Sequence, residues 1–154
     1  MAELTSPRQT ILVTSRYSGK DNIIALSWHA PVSFTPELYA IMVGHTRFSH
    51  DLIKNSKVFC VNFMSIEHEK EVLACGTSSG RSSDKFEKAG LTKGESEKID
   101  CPRIKEALGY LECKVVNAVK AGDHTIFVGE VVNSESKKKG KRILQDNGGF
   151  TTTK

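Results

Sequence analysis

Runs in which β-branched and aromatic residues alternate with polar ones fall at residues 9–14, 22–28, 38–43, 58–63, 110–119 and 125–132. Such residues suit a pleated, half-buried surface, so each run predicts a strand. The turn-forming stretch Ser18-Gly19-Lys20-Asp21-Asn22 follows the first run, and Lys120-Ala121-Gly122-Asp123-His124 separates the last two. Both pairs therefore read as antiparallel hairpins. Helical spacing is confined to short pieces: residues 49–55 with Ser49 as the N-cap, residues 67–74 with Val72 and Leu73 on one face, and residues 84–89. The third is expected to end at Gly90 in the left-handed conformation. Many strands interrupted by a few helices, without a repeat of 20 to 50 residues, argue for a mainly β fold and against regular βαβ alternation.

At 154 residues the chain has the length of a single domain, spanning 1–154. Its 38% hydrophobic and 26% charged residues are those of an ordinary globular protein. No apolar run approaches the roughly 20 residues that cross a bilayer, and the first residues lack the features of a signal peptide, so a cytoplasmic location is expected. Cys60, Cys75, Cys101 and Cys113 form no CxxC or Cys/His ligand pair, and no metal is expected. Cys60 and Cys113 lie in apolar runs and read as small buried hydrophobes. Cys75 precedes a Gly/Ser-rich loop and reads as a small residue at a helix end, with a cofactor-adjacent thiol as the alternative. The net charge of +4 is concentrated in Lys137-Lys138-Lys139-Gly140-Lys141-Arg142, leaving the body nearly neutral. Its flanking serines and glycine mark it as a solvated loop.

No GxGxxG fingerprint or P-loop is present. Four other segments carry chemistry: Asp21-Asn22-Ile23-Ile24-Ala25-Leu26-Ser27-Trp28-His29-Ala30-Pro31-Val32-Ser33-Phe34, Gly44-His45-Thr46-Arg47-Phe48-Ser49-His50, Ser78-Ser79-Gly80-Arg81-Ser82-Ser83-Asp84-Lys85-Phe86, and Gly122-Asp123-His124-Thr125-Ile126-Phe127-Val128-Gly129-Glu130-Val131. By residue type alone they read as a core tryptophan, a capped helix start, a solvated lysine and a turn histidine. In order and spacing, however, they resemble the flavin reductase-like, FMN-binding split-barrel family. The closing Leu144-Gln145-Asp146-Asn147-Gly148-Gly149-Phe150 resembles that family's final segment.

The resemblance implies a six-stranded split β-barrel with short flanking helices, a homodimer with FMN near its interface, and NADH or NADPH as electron donor. It places Asn22, Ala25, Ser27, Trp28 and His29 along the flavin ring and its polar rim. Thr46, Arg47, Phe48 and Ser49 fall toward the phosphate, where a helix N-terminus also favours an anion. Ser79, Gly80 and Arg81 form a loop through which backbone donors approach, and Lys85 lies by the pyrimidine edge. His124 is implied near the reactive face, ordering a nicotinamide. The electron acceptor is left open. Two alternatives stand beside the reductase: a flavoredoxin-like electron carrier, and a small nucleic-acid-binding β-barrel using the basic run. The second is disfavoured because no aromatic residue interleaves that run between Val132 and Phe150.

Overall fold

Two apolar faces, not one, are written into the strand Ile11–Tyr17: Ile11 and Val13 pack into one core cluster while Leu12 packs into another. A strand covered on both sides reads as a continuous apolar run, as Ile11-Leu12-Val13 does. The computed structural model describes residues 1–154. Its strands are β1 (Arg8–Gln9), β2 (Ile11–Tyr17), β3 (Lys20–Leu26), β4 (His29–Phe34), β5 (Glu37–Gly44), β6 (Val58–Phe63), β7 (Lys93–Glu95), β8 (Pro102–Ile104), β9 (Gly109–Ala121), β10 (His124–Ser136), β11 (Leu144–Asp146) and β12 (Gly149–Thr151). Three helices, α1 (Phe48–Ser56), α2 (Glu69–Gly76) and α3 (Lys85–Ala89), lie between them.

The main sheet has seven antiparallel strands in the order β3-β2-β6-β9-β10-β5-β4, curled as a split barrel. Six are the expected runs. The seventh, β4, is an edge strand whose register slips between Pro31 and Ser33. Val32 and Phe34 are exposed there and proline lacks an N–H, so its sequence does not alternate as a half-buried strand does. The barrel interior is filled by Ile11, Val13, Ile41, Val43, Phe59, Val61 and Phe127. The second cluster joins Leu12 and Ile23 of the sheet to Val72 and Cys75 of α2 and Phe86 of α3. Cys60 and Cys113 are fully buried, as expected of small hydrophobes.

Both expected hairpins form, β2–β3 and β9–β10, and the second runs well past its anticipated ends. Asp84 caps α3, its Oδ1 accepting from Phe86 N–H at 2.9 Å, and Gly90 closes that helix at φ +68°. One cap differs from expectation. Arg47, in extended conformation, occupies the N-cap of α1, and Ser49 lies inside the first turn with its side chain buried. The serine hydroxyl has a tertiary partner instead, described below. Residues 137–141 of the basic run are exposed, as expected of a solvated loop.

Gly129 sits where β10 crosses the barrel core. A Cβ there would stand 2.7 Å from both the Cys113 Cβ and the Phe59 ring. Replacing Gly129 with alanine is expected to lower stability by about 1 to 3 kcal/mol, the usual cost of overpacking. A urea midpoint equal to that of the wild type would contradict this packing.

Candidate functional site

The edge strand β3 forms the floor of a cleft of about 270 Å³. Ile24, Ala25 and Leu26 supply its floor, with Met42 from β5 and Trp28 just beyond β3. The turn from β5 into α1 contributes Gly44, Thr46, Arg47, Phe48 and Ser49. Facing them, the end of α2 and the loop into α3 bring Cys75, Gly76, Ser78, Ser79, Gly80 and Lys85. His124 and Gln145 complete the rim.

Asn22 holds two of these walls in register. Its Nδ2 donates to Ser49 Oγ at 2.9 Å, while its Oδ1 is buried without a partner. Gly80 passes directly over that oxygen. A Cβ on residue 80 would fall far inside contact distance of Asn22 Oδ1, so the loop can follow this path only with glycine.

Lys85 is the unusual group. The Asp84 cap starts α3 so that the next side chain turns inward, leaving Lys85 only 6% exposed. Its Nζ donates to the Cys75 carbonyl at 2.8 Å, its sole hydrogen bond within the protein. Burial pushes the ammonium's pKa down, and the neighbouring charges of Arg47 and Lys88 push it further the same way. Arg47 shares the cleft, and no aspartate or glutamate lines it. Two cations facing a space free of carboxylates make a site for an anion.

His124, the first residue of β10, pairs in register with Gly44, and its ring and the Arg47 stem both lie against that glycine. Its Nδ1 lies 2.6 Å from Asp123 Oδ1, and its ring stands 4.9 Å from that of Trp28. The bond to His124 holds the Asp123 carboxyl below its ordinary pKa.

Of the residues expected from sequence, all but two border this cleft. His29 is turned away: Nε2–H donates to the Gln9 carbonyl at 2.8 Å, so Nδ1 accepts from the Tyr39 hydroxyl at 2.7 Å. Burial lowers its pKa, in keeping with a neutral ring that ties β4 and β5 to β1. Arg81 is exposed, pairs with Asp51 at 3.0 Å and lies over the Phe48 ring in a neighbouring groove. Sequence reasoning missed Met42 and Gln145, and for Cys75 it preferred a helix-end residue over the cleft position that it occupies. Met42 carries the ordinary mark of a strand residue, and Gln145 stands 118 positions from Ser27, the side chain that it meets.

Residues 4–154 match the family described as the flavin reductase like domain. The chain belongs to this family. It is 43% identical to an uncharacterized protein of Archaeoglobus fulgidus over 133 residues, covering 86% of this chain and 75% of that one. Its fold is shared with an FMN-binding protein from Thermus thermophilus at a TM-score of 0.89 and 22% identity, covering 97% and 88% of the two chains. An NADH:FAD oxidoreductase of Streptomyces globisporus, solved with NAD and FAD fragments, aligns at a TM-score of 0.87 and 26% identity over 96% and 86% of the chains.

The lowered pKa of Lys85 has a consequence for the ligand-free protein. Between that lowered value and the ordinary 10.5, the unfolded chain binds more protons than the native one, so stability from this group rises with pH. Wild-type stability relative to Lys85→Met is therefore expected to increase from pH 7 toward pH 10. Urea midpoints that keep a constant difference across this range would show that Lys85 is not a desolvated cation.

Proposed function

We propose that this chain binds FMN in the cleft and, as a homodimer, uses it to carry electrons from NADH or NADPH to a flavin or another acceptor. The observation that carries this reading is the buried Lys85 ammonium in a cleft without carboxylates. When bound, FMN supplies the chemistry of accepting a hydride and releasing electrons. The residues present fit it. Ile24, Leu26 and Met42 offer an apolar bed and Trp28 a wall for a flat ring. Thr46, Arg47 and the first turn of α1 offer hydroxyl, guanidinium and N–H donors to a phosphate. Lys85 holds a fixed positive charge where an anionic reduced ring is favoured.

His124 stands at the mouth beside Trp28, on the side open to a nicotinamide. Its contribution is to order the incoming ring, because hydride transfer depends on near-contact alignment. The dimer is supported by an apolar row that runs away from the cleft. Register places Val119 opposite Ile126 and Ile126 opposite Met42, so the three share a face. Val119 and Val116 are about half exposed there, and a second copy seated on the row would wall the cleft.

The nucleic-acid alternative loses support from the basic run itself. Lys137 and Arg142 lie over the protein's own Tyr110 and Phe63 rings, and Tyr110 is buried, so the run offers no free aromatic for stacking on bases. No helix of the structure is long and apolar enough to cross a membrane.

Anaerobic addition of NADH or NADPH to the FMN-loaded protein tests the proposal. Rapid bleaching supports a reductase, whereas slow or absent bleaching with tight FMN favours the flavoredoxin-like carrier. Two substitutions separate binding from reduction. Lys85→Ala is expected to weaken FMN about tenfold, ~1.4 kcal/mol, and to lower its reduction potential. An unchanged potential would remove Lys85 from the ring. His124→Ala is expected to slow reduction by up to about a hundredfold while FMN affinity stays within about threefold. Stopped-flow traces alongside FMN titrations measure both quantities; lost affinity with an unchanged rate per bound flavin would make His124 a cofactor ligand instead.

A further inference from the structure

Pairing of β1 with β11 sets Gln145 opposite Arg8 and brings its side chain to the rim of the cleft. There it ends a chain of three polar groups. Ser27 Oγ donates to Gln145 Oε1 at 2.7 Å, and Thr10 Oγ1 stands 3.0 Å from Ser27 Oγ. Gln145 Nε2 makes no hydrogen bond within the protein, and the residue borders the cleft.

A side-chain amide can face its neighbour with either end, and the hydroxyls decide which. With Oε1 toward Ser27, the serine proton goes to that oxygen and the Thr10 proton goes to the serine oxygen, so each hydroxyl proton has an acceptor. With Nε2 toward Ser27, the serine oxygen accepts from the amide, and the Thr10–Ser27 contact then uses only one of the two hydroxyl protons. The other proton, on Thr10 or on Ser27, has no acceptor within the protein, and Thr10 is only 3% exposed. A buried hydroxyl proton without a partner is the costlier arrangement. Thr10 and Ser27 together thus turn the amide nitrogen of Gln145 into the cleft.

The position of this donor limits what it meets. Ser27 lies five residues beyond Asn22, roughly 16 Å along an extended chain, whereas Asn22 marks the Ser49 end of the cleft. A neutral N–H donor far from the phosphate-binding end suits a ring carbonyl. Resting on the FMN reading above, we infer that Gln145 is a further binding residue, donating a hydrogen bond to a carbonyl oxygen of the flavin ring. Thr10 and Ser27 are the positioning residues that fix its orientation. A donor on a ring carbonyl favours the electron-rich reduced flavin, so Gln145 raises the potential at which the flavin accepts electrons.

The test uses Gln145→Met, which keeps side-chain length and removes the donor, together with Thr10→Val and Thr10→Ser. FMN affinity, reduction potential and visible spectrum are measured for each, with KM for NADH alongside. Gln145→Met is expected to bind FMN about five- to tenfold more weakly, at a lower potential and with a shifted flavin spectrum. Thr10→Val should weaken FMN about two- to threefold, and Thr10→Ser, which restores the hydroxyl, should match the wild type. If the wild type binds FMN while Gln145→Met keeps its affinity and potential, the inference fails and the FMN reading survives. A change confined to KM for NADH also overturns it, by moving the contact to the nicotinamide. A wild type that binds no FMN overturns both. Equal losses in Thr10→Val and Thr10→Ser would reduce Thr10 to a packing role and overturn the relay.

Discussion

A lysine ammonium buried against a single carbonyl is a poor arrangement for an isolated protein, and the site is built around it. Lys85 reaches Cys75 O in the last turn of α2, the negative end of that helix, which offsets part of the cost of desolvation. That contact requires α3 to begin at Asp84, which the Asp84 cap secures, and it requires the loop between the helices to return across β3. Gly80 lets the loop pass over Asn22, and Asn22 in turn grips Ser49 in α1. The cation, the loop and the two flanking helices therefore form one linked unit on an edge strand.

The same sheet also sets where the cleft lies. Ile11, Val13, Ile41, Phe59 and Phe127 fill the interior, so no room is left there for a ligand. The curvature of the sheet instead brings the edge of β3, the end of β5 and the start of β10 to one place. Met42 of β5 and His124 of β10 thereby join Asn22 of β3 and Ser27 just past it, although three strands separate β3 from β10 in the sheet order and four separate it from β5.

Much of this was legible in the sequence because the relevant signals were local. The two hairpins announced themselves by apolar runs on either side of turn residues, and α3 by Asp84 and Gly90. The strand β4 was not legible, since an edge strand with Pro31 and an exposed Phe34 lacks the alternation that burial imposes. Ser49 was misassigned as a cap because serine before an apolar stretch has two uses. Only the fold shows that its hydroxyl meets Asn22, 27 positions away. For His29, the adjoining Ser27 and Trp28 face the cleft, but its own ring is claimed by Gln9 and Tyr39 on other strands. Gln145 was beyond reach for the same reason: polar contacts between distant segments leave no periodicity to read.

The central claim is that the cleft selects its ligand by negative charge at one end and a flat ring along β3. Fluorescence titration of the ligand-free protein with FMN and with riboflavin, at low and at high salt, tests it most directly. The account predicts that FMN binds at least about tenfold more tightly than riboflavin at low salt, and that salt narrows the gap because Arg47, which meets the phosphate, is exposed and therefore screened. Equal affinity for the two flavins, or binding of neither, would contradict it.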